Sequence, residues 1–275
     1  MKRLMITASA ALCAAVGFCV ESSNIVGYQT KGFDYQAYWQ RSACFNDIGD
    51  FDGYSIQQLV PKSNANAVDP MADGEAQIQT LNDGGATDQT YFYLIGGAES
   101  AMPNAGWYTL SGGIYTLATK TFVRGEGFIY MSPYAEDDEG DELETTLQSA
   151  GQVNTAAKTI THDYQAYYQR ANYRPVEMSI QKLVPASNPN AVDPMADGEA
   201  QIQTLNDGGA TDQTYFYLIG GAESAMPNAG WYTLSGGVYT LATKTFGPGE
   251  GFIFMSPYAE DDEGDELPTT LTFNE

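Results

Sequence analysis

The chain has 275 residues, with 12 Lys and Arg against 35 Asp and Glu, a formal charge of −23 and a single histidine. Nucleic-acid phosphates and anionic membranes are bound through Lys and Arg, so a chain this acidic is not expected to bind either. The same charge favours solubility in salt and attraction of cations.

The N-terminus has the build of a secretory signal peptide. A basic "MKR" precedes the short apolar run "LMITASAALCAAVGF", and the small residues Ala15, Gly17 and Cys19 offer cleavage positions. The run is short for a membrane span, and no later segment approaches the roughly 20 apolar residues that a span needs. The expected mature chain is secreted or at the cell surface, without membrane insertion, once residues 1–19 are removed. That removal leaves 10 basic against 35 acidic residues, a charge near −25.

Cleavage after Cys19 leaves Cys44 alone, free to join two chains as a disulfide-linked dimer. Cleavage after Gly17 keeps Cys19, which could then pair with Cys44. A third reading makes Cys44 a half-buried small apolar residue. It lies in "SACFNDIGDFDGY", which is longer than the matching "ANYRPVEM" of the second half.

The dominant feature is a repeat. Residues 66–113 recur unchanged as residues 190–237, and at the same offset of 124 only five positions differ between Ala67–Leu147 and Ala191–Leu271. They are Ile114/Val238, Val123/Gly247, Arg124/Pro248, Tyr130/Phe254 and Glu144/Pro268. Each copy spans about 110 residues, enough to bury its own core.

Within copy one, "NIVGYQT", "YQAYWQ", "SIQQLV", "AQIQTL", "TYFYLI", "GWYTL", "IYTLA" and "GFIYM" follow in order. These runs are rich in Tyr, Ile, Val, Thr and Phe, with Gly, Pro, Asn and Asp between them, and no window keeps a helical period. The expected fold is all-β: two tandem, nearly identical β-sandwich-like or small-barrel domains of seven or eight strands each. The boundaries expected are 1–19 for the signal peptide, 20–150 for copy one and 151–275 for copy two. "NIVGYQT" has no plain counterpart in copy two, where "VNTAAKTIT" takes its place. Asp73, Glu75 and Asp83 fall in turn sequences, where Asp hydrogen-bonds nearby backbone.

The hairpin "GWYTLSGGIYTLA" allows a finer reading. Gly112-Gly113 suits a two-residue primed turn, which pairs Ser111 with Ile114, Leu110 with Tyr115 and Tyr108 with Leu117. One face then holds Tyr108, Leu110, Tyr115 and Leu117, and the more polar face holds Trp107, Thr109, Ser111, Ile114, Thr116 and Ala118. Trp107, like Trp231 in copy two, is either covered by a neighbouring segment or exposed as a sugar-stacking platform.

"AEDDEGDEL" occurs at Ala135–Leu143 and again at Ala259–Leu267. Asp137, Asp138, Asp141 and Glu142, with Asp261, Asp262, Asp265 and Glu266, are weak calcium candidates, because hard cations want several oxygens. Their spacing does not match the established calcium-loop pattern, and a solvated acidic loop is the competing reading. No cofactor is otherwise expected.

Catalytic signatures are lacking. The one histidine, His162, has Phe33 as its counterpart and so belongs to no repeated acid–base group. No Cys/His cluster, P-loop or nucleophile elbow occurs, and Gly-x-Gly at Gly125 and Gly249 precedes a strand rather than a helix.

"ESSNIVGYQT" at Glu21–Thr30 resembles the mature N-terminus of uncharacterised secreted proteins of the Planctomycetes and Verrucomicrobia lineage, which read ES-x-NIVGY. Their repeats carry a Gly-Trp element and a G-x-G-F/W strand, similar to "GWY" at Gly106 and Gly230 and "GEGF" at Gly125 and Gly249. The resemblance implies an exported location and repeat character, and no activity. The function expected is that of a secreted, non-enzymatic tandem-repeat protein, structural or adhesive, of the cell surface or extracellular matrix. The alternative is a bivalent carbohydrate-binding protein using Trp107 and Trp231. Glycans or other surface proteins are the expected partners.

Overall fold

A computed structural model describes residues 26–47, 53–68, 71–82, 84–153, 157–206 and 208–274. Residues 1–19, expected to form a signal peptide, with Cys13 and Cys19 among them, and Asp83 and the "ES-x-N" part of the N-terminal motif lie outside them. The described chain is nearly all β, with single-turn 3-10 helices as its only helical elements.

Copy one contains β1 (Val26–Phe33), β2 (Tyr38–Arg41), β3 (Phe45–Asn46), β4 (Gly53–Ser55), β5 (Val60–Lys62), β6 (Gln77–Leu81), β7 (Thr87–Leu94), β8 (Gly106–Ser111), β9 (Ile114–Leu117), β10 (Thr121–Val123), β11 (Phe128–Met131) and β12 (Thr145–Val153). Copy two contains β13 (Lys158–His162), β14 (Tyr167–Ala171), β15 (Met178–Ser179), β16 (Leu183–Ala186), β17 (Gln201–Leu205), β18 (Thr211–Leu218), β19 (Gly230–Ser235), β20 (Val238–Leu241), β21 (Thr245–Phe246), β22 (Gly251–Met255) and β23 (Thr269–Phe273). These outnumber the expected strands because pieces of two or three residues, such as β3 and β4, are too short to show a period in sequence. "SIQQLV" is not one strand: Ile56–Gln58 forms a 3-10 turn capped by Ser55, with β5 following. The expected boundary at residue 150 falls inside β12, whose Gln152 and Val153 pair with Asn46 and Phe45 of copy one.

In copy one a six-stranded antiparallel sheet has the order β2-β11-β6-β7-β8-β9; β12 pairs with β1, β3 and β5 in a second sheet, and β4 with β10. Copy two repeats this with β14-β22-β17-β18-β19-β20, β13-β23-β16 and β15-β21. β13 occupies the place of β1: Phe33 pairs with Thr145 and His162 with Thr269.

Alternation along the strands makes the core. β6 buries Ile78 and Thr80, β11 buries Phe128 and Tyr130, and β12 buries Thr145, Leu147 and Ser149. The buried apolar residues form two clusters, one drawn from each copy. Each fully buried large side chain in them contributes roughly 1.5–3 kcal/mol.

The copies meet along a reciprocal seam. Ser42 N–H donates to Gly249 O at 2.9 Å, and Ala171 N–H donates to Gly125 O at 3.2 Å. A register shift at Thr80/Leu81 frees the Leu81 N–H, which donates to Gln169 Oε1 at 3.1 Å; the shift at Thr204/Leu205 frees Leu205 N–H for Gln40 Oε1 at 3.2 Å. These backbone and glutamine contacts come in pairs with the copies exchanged, the mark of an approximate two-fold. The Gly-x-Gly pairs serve this approach. A Cβ at Gly127 would lie 2.9 Å from Arg170 O, one at Gly251 2.7 Å from the Gln40 carbonyl carbon, and one at Gly249 2.8 Å from Cys44 Sγ. Glycine is needed where another backbone comes this close.

Candidate functional site

The β8–β9 hairpin forms as its sequence requires. Gly112 and Gly113 have φ of 56° and 81°, and the pairs are Ser111–Ile114, Leu110–Tyr115 and Tyr108–Leu117. Its base and its tip differ sharply. At the base, the Gln57 side chain takes over from the ladder: its Nε2 donates to Trp107 O and Ala118 O at 2.9 and 2.8 Å, and its Oε1 accepts from Trp107 N–H at 3.0 Å. Gln181 does the same at Trp231 and Ala242.

This arrangement corrects the sugar-platform expectation. Trp107 and Trp231 are 0% exposed. The indole N–H groups donate to Leu59 O and Leu183 O at 2.6 Å, and the rings meet Tyr93 and Tyr217 edge-on at 5.3 Å. A sugar cannot stack on either. The polar-face assignment holds for the tip, where Ser111 and Thr116 are exposed. At the base, the 3-10 turn after Ser55 covers that face, and nothing in the hairpin's own sequence announces it.

At the tip, Leu110, Ile114 and Leu117 are 42%, 70% and 52% exposed, and Leu234, Val238 and Leu241 match them in copy two. Among the described residues, β9 and β20 are the last strands of their sheets. From Ser100 to Thr119, and again from Ser224 to Thr243, the chain carries no Asp, Glu, Lys or Arg.

The acidic loops fold onto their own backbone. Asp137 Oδ1 accepts from the N–H of Glu139 and of Asp141 at 3.0 and 2.9 Å, and Asp261 does the same for Glu263 and Asp265. Asp138, Asp141 and Glu142 are exposed, as are Asp262, Asp265 and Glu266. Among the described residues no three His, Cys, Asp or Glu side chains are grouped to hold a metal ion. By contrast, Asp73 organises a loop: it accepts from Ile95 N–H at 2.9 Å, Ala101 N–H at 2.6 Å and Ser100 Oγ. Burial would raise its pKa, but these three donors outweigh it and hold the carboxyl below its ordinary value.

His162 is buried against Tyr168 and Phe254, and its Nε2 accepts from Arg170 Nε at 2.8 Å. Burial first, and then the Arg170 charge, push its pKa down to about 3, so the ring is neutral. Cys44 is likewise buried, its Sγ donating to Gln29 Oε1 at 3.3 Å, and burial raises its pKa to about 11. A thiol so placed is poorly disposed to join two chains.

The seam holds two further concavities. One, of about 430 Å³, is lined by Lys31, Tyr38, Trp39, Asp212, Tyr215 and Lys244 among others. Its reciprocal, of about 270 Å³, has Tyr168 in place of Trp39. Trp39 lies in an ordinary strand run, and a clamp by the Gln57 side-chain amide leaves no periodic trace, so neither stands out in the sequence. No helix among the described residues is long and apolar enough to cross a membrane. The chain matches no protein-family model, no curated protein and no solved structure.

Proposed function

We propose that this is an exported, non-enzymatic structural or adhesive protein of the cell surface or extracellular matrix, with the tips of its two hairpins as the adhesive elements. The observation that carries the reading is the pair of equivalent edge strands, apolar, uncharged and exposed, on a chain that is otherwise strongly acidic. Exposed apolar clusters of this kind mark contact surfaces. The "MKR" leader and the ES-x-NIVGY resemblance support the address.

The test is fractionation of producing cells. The chain should appear outside the cytoplasm, shortened at its N-terminus and bound to surface or matrix, and Leu117→Lys with Leu241→Lys should release it into the medium. A full-length cytoplasmic chain overturns the reading.

Carbohydrate binding remains as a second reading, moved from the buried indoles to the larger seam cleft, where Trp39, Tyr38 and Tyr215 stand beside Lys31 and Asp212. Such a site is single, since copy two has Tyr168 and Ile160 in place of Trp39 and Lys31. Glycan-array binding lost in Trp39→Ala supports it; an array with no binder discards it.

A further inference from the structure

We infer that β9 and β20 pair with the same edges of other copies of this chain, joining molecules end to end into strings. The inference rests on the hairpin tips being the contact elements proposed above, and it names their partner.

Each six-stranded sheet has two edges, β2 and β9 in copy one, β14 and β20 in copy two. The seam occupies the first of each pair: Arg41 bridges to Glu250, and Arg170 to Glu126. β9 and β20 stay open. An open edge offers unpaired backbone N–H and C=O groups to another strand, and folded proteins usually block it with Lys, Pro or a bulge. "IYTL" and "VYTL" contain none of these.

Charge selects the partner. Two chains this acidic repel over most of their surfaces, and a cationic partner would find no carboxylate on these tips. The uncharged stretches Ser100–Thr119 and Ser224–Thr243 are where two such acidic chains can touch without repulsion.

The register also suits self-pairing. Because Ser111–Ile114 closes the hairpin, the antiparallel alternation turns the backbone groups of Ile114 and Thr116 toward β8 and those of Tyr115 and Leu117 outward. Two β9 strands centred on Thr116 opposite Thr116 set each Tyr115 against the other Leu117, exchanging about four hydrogen bonds. Tyr115 and Leu117 lie on the face that carries Leu110, so the pair gathers Leu110 and Leu117 of both molecules into one cluster. Each such pair closes on itself, but every molecule keeps a second edge, so growth continues as a string.

Sedimentation velocity of the purified mature chain over a range of concentrations tests this. The wild type should pass from monomer through dimer to longer species, and further at high salt, where acidic repulsion is screened. Leu117→Lys alone should stop at dimers formed through β20. Leu117→Lys with Leu241→Lys should stay monomeric with an unchanged melting temperature, both positions being exposed. A wild type that stays monomeric at every concentration and salt, or a double variant that assembles like it, overturns the inference. If the wild type is monomeric yet the lysines still release the chain from cells, the adhesive reading stands with another partner and self-pairing falls. If strings form but the chain is cytoplasmic, the adhesive reading falls alone.

Discussion

In copy one, Phe33 packs on Tyr130 with ring centroids 5.1 Å apart; in copy two, His162 replaces Phe33 and meets Phe254, which replaces Tyr130, at 5.0 Å. At the seam, the Arg124 guanidinium lies 5.4 Å from the Tyr173 ring, whereas Pro248, in the equivalent place, offers its carbonyl to Arg41 Nη2 at 2.9 Å and Gln29 Nε2 at 3.4 Å. Elsewhere many sites repeat: Asp73 and Asp197 hold the same three donors, and Trp107 and Trp231 bond the equivalent carbonyl. Several of the substitutions between the copies therefore fall where one copy touches the other, or change together as a packed pair. The seam joins unlike halves, while the Asp73 and Trp107 sites remote from it repeat in copy two.

Four measurements test that contrast. The largest effect is expected from Trp107→Ala and Trp231→Ala, each costing about 3–5 kcal/mol for the emptied core site. Equal losses in chemical denaturation would confirm equivalence away from the seam; a gap well beyond error would break it.

The next concerns acid. His162 is neutral in the folded chain with a pKa near 3, against about 6.5 when unfolded, so the unfolded state binds the extra proton between those values. Stability from this group is complete above about pH 6.5 and is lost as pH falls toward 3, on the order of a few kcal/mol. Melting curves across that range should show a shallower acid limb for His162→Phe, the residue type that copy one uses. An unchanged limb would show that His162 binds its proton equally well in the folded and unfolded chain.

Third, Gly251→Ala should cost about 1–3 kcal/mol, since its Cβ would press on the Gln40 backbone. Gly237→Ala, at the hairpin tip with nothing within 4 Å, reports only the strain of φ 80° and serves as the comparison. Smallest is Tyr130→Phe. The Tyr130 hydroxyl is buried with no hydrogen-bond partner, so the copy-two residue should be neutral or stabilising by up to about 1 kcal/mol in the same denaturation assay.

The β character, the repeat and the hairpin register were legible in the sequence, because alternation and a Gly-Gly turn act locally. The burial of Trp107 was not, since its cover comes from Gln57 and Leu59, some fifty residues earlier. The seam was equally hidden. Gly-x-Gly before a strand is ambiguous until the strand opposite is known, and the approach of Arg170 to Gly127 depends on how two copies dock. Turn aspartates could be recognised as a type, yet the loop tied by Asp73 lies more than twenty residues away.

Cys44 gives the seam a clock. Its sulfur sits against Gly249 of the other copy, and its high pKa leaves almost no thiolate at neutral pH. A thiol reagent can modify it only when this packing opens, so the labelling rate, divided by that of the unfolded chain, measures how often the seam or the copy-one core beside it opens. The wild-type sequence thus carries its own reporter of breathing at or beside the seam, readable by mass spectrometry without any engineered probe.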